Sequence, residues 1–546
     1  MGARLVPFRC SADDPVLVVE VDAEVLTLGP LATPAQSARL RLRSARPSRW
    51  SVTDTTGGAW FPDGSLEKWD FHHRPFFHAA ETELDVPAGT ELHVSATRGM
   101  EYRTARAQVT LGPGSVSVVN LEPERRLDPA GTGWYGGDLH VHMNYSGDLV
   151  CQPSQAALMQ LGEGLHLMNL VAANATGTRV FDREALEEWA GHDLPWSSGS
   201  SVARMGVEYR NDLLGHVHAL GPSRPPSVYH TGHRGSDHDE DWPPNSVACR
   251  QLRAGGAALG YCHPVMSPIS ADDISPFFQR PRSVEARELV VDAALGLVDS
   301  VDVLSNGAAS ATGSALLYRR LLGAGHRLAV TAGTDVFLSF SSSSTFSNPP
   351  GFARVYAQVE GDLTVESFKT AIRQCRTVVT NGPWLELEVE GHGPGARLDP
   401  GGKSQVRATA RVDGPDVDSL ALMTPDGKLA EVPVSGGTGV VSAQLPTGRP
   451  TWVVAVAIGA SNPEVIDHHP YAHTSPVWVH REDERVLRTA DVQWCLDWVR
   501  RLERLVRDHG TFHSTAHLDD VLAEIGQAAR LYRDTLRVIS ASSGLT

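Results

Sequence analysis

From Trp134 to Pro383 the chain repeats one pattern. Short apolar runs, LHLMNLVAAN (165–174), AALGYCH (257–263), VDSVDVLSN (298–306) and HRLAVTAGTD (326–335), each end in polar residues. Helix-like stretches such as PSQAALMQLGEG (153–164) and GSALLYRRLLGAG (313–325) separate them. Brief apolar runs alternating with helices predict buried strands in a parallel α/β sheet or barrel. In such folds chemistry gathers where the strands end, at their C-terminal edge.

The flanks have another texture, as expected for 546 residues, too many for one small core. Residues 1–128 alternate or run β-branched between glycine and proline turns, as in PVLVVEVDAEVLTLG and ELHVSATRGMEYRTARAQVTLGPGSVSVVNL, which predicts a β-sandwich-like domain. The polar EPERRLDPAGTGW links it to the α/β region of 134–383. LELEVEG, QVRATARV and TWVVAVAIG predict a second β domain over 384–482. From 486 to 540, Trp494, Trp498, Leu502 and Leu505, then Leu518, Val521, Leu522, Ile525, Ala529, Tyr532 and Leu536, recur at helical spacing and predict a hairpin packed on the body. Its heptads are too short to define a coiled-coil dimer, and the oligomeric state is left open.

The net charge of −16 argues against a nucleic-acid partner, whose binding surfaces are basic. Cys10, Cys151, Cys249, Cys262, Cys375 and Cys495 are scattered without a CxxC pair, so free buried thiols are expected. The first residues lack the apolar core of a signal peptide, and no stretch approaches eighteen apolar residues. A cytoplasmic protein with a small-molecule substrate and no membrane partner is the expectation.

GDLHVHMNYSGD (137–148) places His140 and His142 two residues apart at a strand end. Strand side chains alternate, so both face one way and can share a divalent ion at roughly 2.0–2.1 Å per nitrogen. Satisfied core histidines are the plainer explanation. Further ligand-type residues follow, each at the end of an apolar run. Glu208 in ARMGVEYR is a buried carboxylate that needs a cation, either a metal or Arg204 or Arg210. LLGHVHALG offers His216 and His218, with His216, after the glycine, the better candidate. LGYCHPV ends on His263 and LAVTAGTDVF on Asp335. Singly each reads as well as structure; in one α/β region they read as a convergent His/Glu/Asp metal cluster. Cys262 adjoins His263, but neighbours on a strand point to opposite faces, which disfavours a Cys–His pair.

The ordered series GDLHVHMNYSGD, GVEYR…GHVHALG, GYCHP and TAGTD resembles the polymerase-and-histidinol-phosphatase (PHP) superfamily of metallohydrolases, and within it the CehA/McbA-type branch. RQCRTVVTNGPWLELEVEGHGPG followed by AHTSPVWV resembles that branch's passage into a β domain. The resemblance covers roughly residues 130 to 480. It implies a distorted (β/α)7 barrel with metals at its C-terminal mouth, flanked here by N- and C-terminal β-sandwich-like domains and the helical hairpin. Carried over by position, it makes His140, His142 and Asp335 ligands of one ion. Glu208 bridges to a second, completed by His263 and His216, and Asp148 is a further ligand or a supporting group. Val336 and Phe337 follow Asp335 where many relatives continue Asp-x-His, and Ala172, Ala173 and Asn174 stand where many have Thr-Asp-His. A third metal is therefore not expected; one or two ions, with two favoured, would be zinc, manganese or iron.

Such a centre performs metal-assisted hydrolysis. His216 or His263, where not bound to metal, could protonate the leaving group. The motifs offer few cations beyond Arg210 and Arg179, which tilts the substrate toward an ester, amide or carbamate. A phosphoesterase is the alternative, and a non-catalytic binding module is the rival of another class. Asn174 and Arg210 are candidate substrate contacts. The loop YHTGHRGSDHDEDWPP (229–244) reads first as solvated surface and second as a lid carrying His230 or His233. VIDHHPYAHTSPV (465–477) is a second candidate cover, and SLEKWDFHHRPFFHAAE (65–81) suits interdomain packing better than a ligand.

Overall fold

The computed structural model describes residues 36–543 apart from 175–178, 306–309, 416, 463–464 and 468, together with the strands Leu17–Val21 and Glu24–Leu28, which pair antiparallel. Cys10 and His468 lie outside the described residues.

The N-terminal domain is organised by one long strand, Ser37–Asp54. Its first half alternates, with Ala38, Leu40 and Leu42 buried and Arg39, Arg41 and Arg43 facing Asp85, Glu83 and Glu81 across the antiparallel strand Pro75–Pro87. The pairing register shifts between Arg43 and Ser48. Its other edge then pairs first with Val116–Asn120 and later with Glu91–Thr97. Leu40, Leu42, Trp50, Val52, Phe77 and Val94 fill the space enclosed.

The central sheet carries the site. Its strands are β1 (Trp134–His142), β2 (Leu167–Asn174), β3 (Val202–Asn211), β4 (Gly215–Leu220), β5 (Ala258–Tyr261), β6 (Ser300–Ser305), β7 (Ala329–Gly333), β8 (Arg354–Gln358) and β9 (Thr377–Thr380). Every described residue of β2, β4, β5, β6, β7 and β9 is buried, which accounts for their mostly apolar texture. Helices α1 (Pro153–Gly162), α2 (Asn245–Ala254), α3 (Ala311–Gly323) and α4 (Val365–Arg373) alternate with the strands. β1–β2–β3 and β5–β6–β7 are parallel runs, as the alternation predicts. The sheet is nevertheless mixed: β4 is antiparallel to both β3 and β5, and β8 to both β1 and β9. Only Asp212, Leu213 and Leu214 join β3 to β4, too short a link for a parallel crossover, so a hairpin is forced.

The sheet curls into a half-barrel whose last parallel strand returns to its first. Beyond β7, Asp335 N donates to His140 O at 2.8 Å, and Val336–Phe337 pairs with Val141–His142. The approach requires glycine at the end of β7, because a Cβ on Gly333 would lie 2.4 Å from the His140 Cβ.

β9 continues by pairing with Tyr471–Thr474, so the sheet runs on through Thr451–Gly459, Val417–Thr424 and Gly427–Pro433. A separate sheet of Trp384–Val389, Gln405–Asp413 and Thr438–Pro446 packs on that extension over Leu385, Leu387, Val406, Leu420 and Val453. The C-terminal helices α5 (Thr489–His509) and α6 (Thr515–Ser543) form the expected hairpin. It docks through the buried Trp498, whose indole N–H donates to Arg287 O at 2.9 Å. The five described cysteines are free and buried, and among the described residues no helix is long and apolar enough to cross a membrane.

The segment 65–81 does join domains. Lys68 is fully buried, and its Nζ donates to the carbonyls of Phe337, Leu338 and Phe340 at 3.0, 3.1 and 2.6 Å. Lys68→Met keeps the side-chain length and removes those donors. We expect it to lower stability by about 1–3 kcal/mol, the cost typical of buried acceptors left unpaired. The urea midpoint of unfolding measures this, and an unchanged midpoint contradicts the clamp.

Candidate metal centre

β1 turns His140 and His142 inward, as strand alternation requires, and their Nε2 atoms stand 3.0 Å apart. Asp335 meets them from the turn after β7, its Oδ1 3.1 Å from His142 Nε2 and 3.4 Å from His140 Nε2. Asp335 holds a left-handed backbone, φ +55°, which strains a residue other than glycine. The turn is fixed from below by Asp138, which accepts from the Thr334 N–H and hydroxyl, the Gly351 N–H and the His140 N–H. Burial pushes the Asp138 carboxyl up to about 6 despite those donors.

Glu208, on β3, lies between two groups of histidines. Its Oε2 is 3.7 Å from His140 Nε2 and 3.5 Å from His142 Nε2. Its Oε1 is 2.9 Å from His216 Nδ1 and 3.5 Å from His263 Nε2, with Arg210 Nε at 3.9 Å. Burial works to raise the Glu208 carboxyl, and His140, His216 and His263 outweigh it and hold it well below the usual range. Burial likewise opposes charge on His140, but Asp335, Cys262 and Glu208 raise it well above an ordinary imidazole.

The two histidines of β4 separate as the sequence suggests. His216 faces Glu208 with Nδ1 and Asp212 Oδ1 with Nε2 at 3.1 Å. His218 turns instead to Asp302 of β6, at 3.2 Å, in a buried ion pair.

Cys262 is the residue the sequence argument set aside. β5 ends at Tyr261, and His263 has φ +32°, so the rule of opposite faces no longer applies. The ligand atoms of His140, Glu208, Cys262 and His263 all lie within 4.8 Å of one another, as do those of His140, His142 and Asp335. Burial raises the Cys262 thiol, but His263 and His140 outweigh it and bring it down to about 7. Buried His, Glu, Asp and Cys groups this close can hold a metal ion. The Nδ1 atoms of His140, His142 and His263 have no hydrogen-bond partner among the described residues, so it is their Nε2 atoms that face the carboxylates of the cluster.

The remaining candidates fall around this centre or away from it. Asp148 is not part of it: Ser146, at φ +47°, turns the chain, and Asp148 accepts from Ser341 N and Oγ on the surface. Asn174 is buried at the end of β2, where its backbone carbonyl accepts from Tyr145 Oη at 3.0 Å and from Arg210. Arg210 lies over the Tyr145 ring at 5.5 Å, while Arg179 lies over Phe181 at 4.4 Å.

The 229–244 loop is more than solvated surface. Arg210 N donates to Tyr229 O and Thr231 N to Arg210 O, so the loop begins laid along the strand that carries Glu208. His230 is buried, with the His233 and His238 rings 6.4 and 5.7 Å away, and burial with those neighbours pushes it down to about 4. At the loop's far end Trp242 stacks on His517 of α6 at 3.9 Å. The other candidate cover, 465–477, instead supplies the sheet strand Tyr471–Thr474, with His473 buried against Tyr318.

Sequence reasoning also passed over the aromatics beside the cluster. The Tyr145 ring is 4.3 Å from His142 and 4.9 Å from Phe337, and Phe181 and Phe346 extend the wall. The motif GDLHVHMNYSGD contains Tyr145, but nothing in its spacing says where the ring points.

No family model matches the chain, and no curated protein matches it.

A ligand that binds only the folded state stabilises it by about 2.7 kcal/mol at a hundredfold excess over its Kd. Zinc, manganese or iron(II) added to chelator-treated protein is expected to raise the thermal midpoint, and Glu208→Gln to diminish the rise. No shift with any of the three would remove the metal reading.

Proposed function

We propose that the protein is a metal-dependent hydrolase, akin to the CehA/McbA-type branch of the PHP superfamily, with the curled sheet as a distorted (β/α)7-type barrel. It cleaves an ester, amide or carbamate bond of a small molecule. The observation that carries this reading is the division of Glu208, with one oxygen toward His140 and His142 and the other toward His216 and His263. His140, His142, Asp335 and Oε2 of Glu208 would hold one divalent ion, and His216, His263 and Oε1 a second. The donor set fits: imidazole and carboxylate atoms converge at a buried point where the Nε2 atoms of His140 and His142 face each other at 3.0 Å. Ions held there would supply the charge that polarises a carbonyl oxygen and lowers the pKa of water toward neutrality.

The chain's own residues do the rest. Asp212 accepts from His216 Nε2 and thereby aims Nδ1 at the cluster, the role outer carboxylates play for metal-bound histidines. Tyr145, Phe337 and Phe181 keep water from one side and offer an apolar wall to the substrate. His230, whose ring nitrogens are unpartnered among the described residues, offers one donor and one acceptor near Arg210. The aromatic wall favours an uncharged substrate. Arg210, 3.9 Å from Glu208, is the observation that favours a phosphate ester instead.

Metal-loaded protein is expected to turn over p-nitrophenyl esters or carbamates faster than p-nitrophenyl phosphate. Asp212→Asn should fall within the ~10–100-fold loss typical when an outer partner of a ligand is removed, and His142→Ala or Asp335→Asn should exceed it. Preference for the phosphate would establish the phosphoesterase, and absence of turnover by loaded protein would favour a binding module.

A further inference from the structure

We propose that Cys262 is itself a ligand of this centre, and that its thiolate makes the centre select zinc over manganese. The inference rests on the metal reading above and extends it to a residue type that a His/carboxylate centre does not need.

Three placements carry it. First, the sulfur shares the 4.8 Å cluster with His140, Glu208 and His263, so nitrogen, oxygen and sulfur donors surround one point. Second, the backbone is shaped to bring two consecutive side chains there. Cys262 N donates to His216 O at 3.3 Å as the last contact of β5 with β4, and His263 then adopts φ +32° before Pro264. On a continuing strand one of the two side chains would face away. Third, other described cysteines have different surroundings. Cys249 points at Asp292 Oδ2, 3.6 Å away, and Cys151 at the Gln152 carbonyl, also 3.6 Å away; among the described residues neither belongs to a cluster of metal-ligating atoms.

The alternative role for Cys262 is that of a small core residue whose Sγ donates to the His216 carbonyl at 3.4 Å. That role would explain burial but not the three other ligand atoms around the sulfur. Metal preference follows from donor chemistry. Thiolate is a soft ligand that zinc accepts readily, whereas manganese and magnesium favour carboxylate and water oxygens. Sulfur, nitrogen and oxygen are all donors that zinc accepts in four-coordinate sites.

Cobalt(II) tests this directly, because a thiolate ligand gives an intense near-ultraviolet charge-transfer band that nitrogen and oxygen donors do not. Chelator-treated protein would be loaded with cobalt(II) and its absorption recorded with metal content measured alongside. The wild-type protein is expected to show the near-ultraviolet band together with the visible cobalt bands. Cys262→Ser should keep the visible bands, lose the near-ultraviolet one, and lose zinc-over-manganese preference in competition. Should Cys262→Ser fail to fold, Cys262→Ala and the wild-type spectrum carry the test. Visible bands without the charge-transfer band in the wild type would overturn the thiolate assignment and leave the metal centre standing. No cobalt bound at all would overturn both.

Discussion

Four hydrogen bonds to one buried carboxylate hold the curled sheet together where the site forms. Asp138, on β1, accepts from its own strand at His140, from the exit of β7 at Thr334 and from the approach to β8 at Gly351. A carboxylate with no exposed surface is expensive to bury, and donors from three segments are what make the position tolerable. The geometry of the site follows. With Thr334 fixed, Asp335 takes its strained turn, its N–H reaches His140 O, and its carboxylate lands on the two imidazoles. Gly333 is part of the same arrangement, because the two strands are too close there for any side chain.

The residues that meet at the centre repel and attract in a pattern that a single protonation state resolves poorly. His140 and His142 present ring nitrogens to each other at a separation that suits one shared proton or one shared ion. Asp335, Cys262 and Glu208 draw imidazolium character into His140 against its burial, while burial, with His140 beside it, disfavours charge on His142. A divalent ion among the same atoms satisfies all of them together, since neutral imidazoles and ionised carboxylates are the forms that coordinate. The balance of charges among these side chains supports the proposed metal centre independently of any sequence resemblance.

What was legible in the sequence was what depends on short-range periodicity. His140 and His142 face inward because strands alternate, and His263 and Asp335 were visible as polar residues closing apolar runs. The choice of His216 over His218 agrees with the placement of His216 on Glu208 and of His218 on Asp302. The failures share one cause, departure from regular backbone. Cys262 was dismissed by a strand rule that stops applying one residue beyond β5, and Asp148, placed at the site only by the resemblance, is carried to the surface by the turn at Ser146. The antiparallel β4 did leave one, the polar pair Asn211–Asp212 and a glycine between two apolar runs, which is hairpin composition. Continuity of the central sheet into the C-terminal β layer left none, because pairing of Thr377–Thr380 with Tyr471–Thr474 joins segments about ninety residues apart.

The N-terminal domain is best understood through what Lys68 does. An ammonium group has three donors, and here all are taken by carbonyls of the segment that leaves Asp335. Trp69 adds a backbone donor to Ser341 O, and Asn348 accepts from Phe71 N. The same segment carries Phe337, whose ring stands beside His142 and Tyr145. A loop that follows a sheet strand is ordinarily free to vary; this one is held on one side by pairing with β1 and on the other by a separate domain. The consequence is a division of labour within the molecule. The sheet places the clustered His, Glu and Asp side chains, and the accessory domain, from outside the curled sheet, sets the apolar wall beside them.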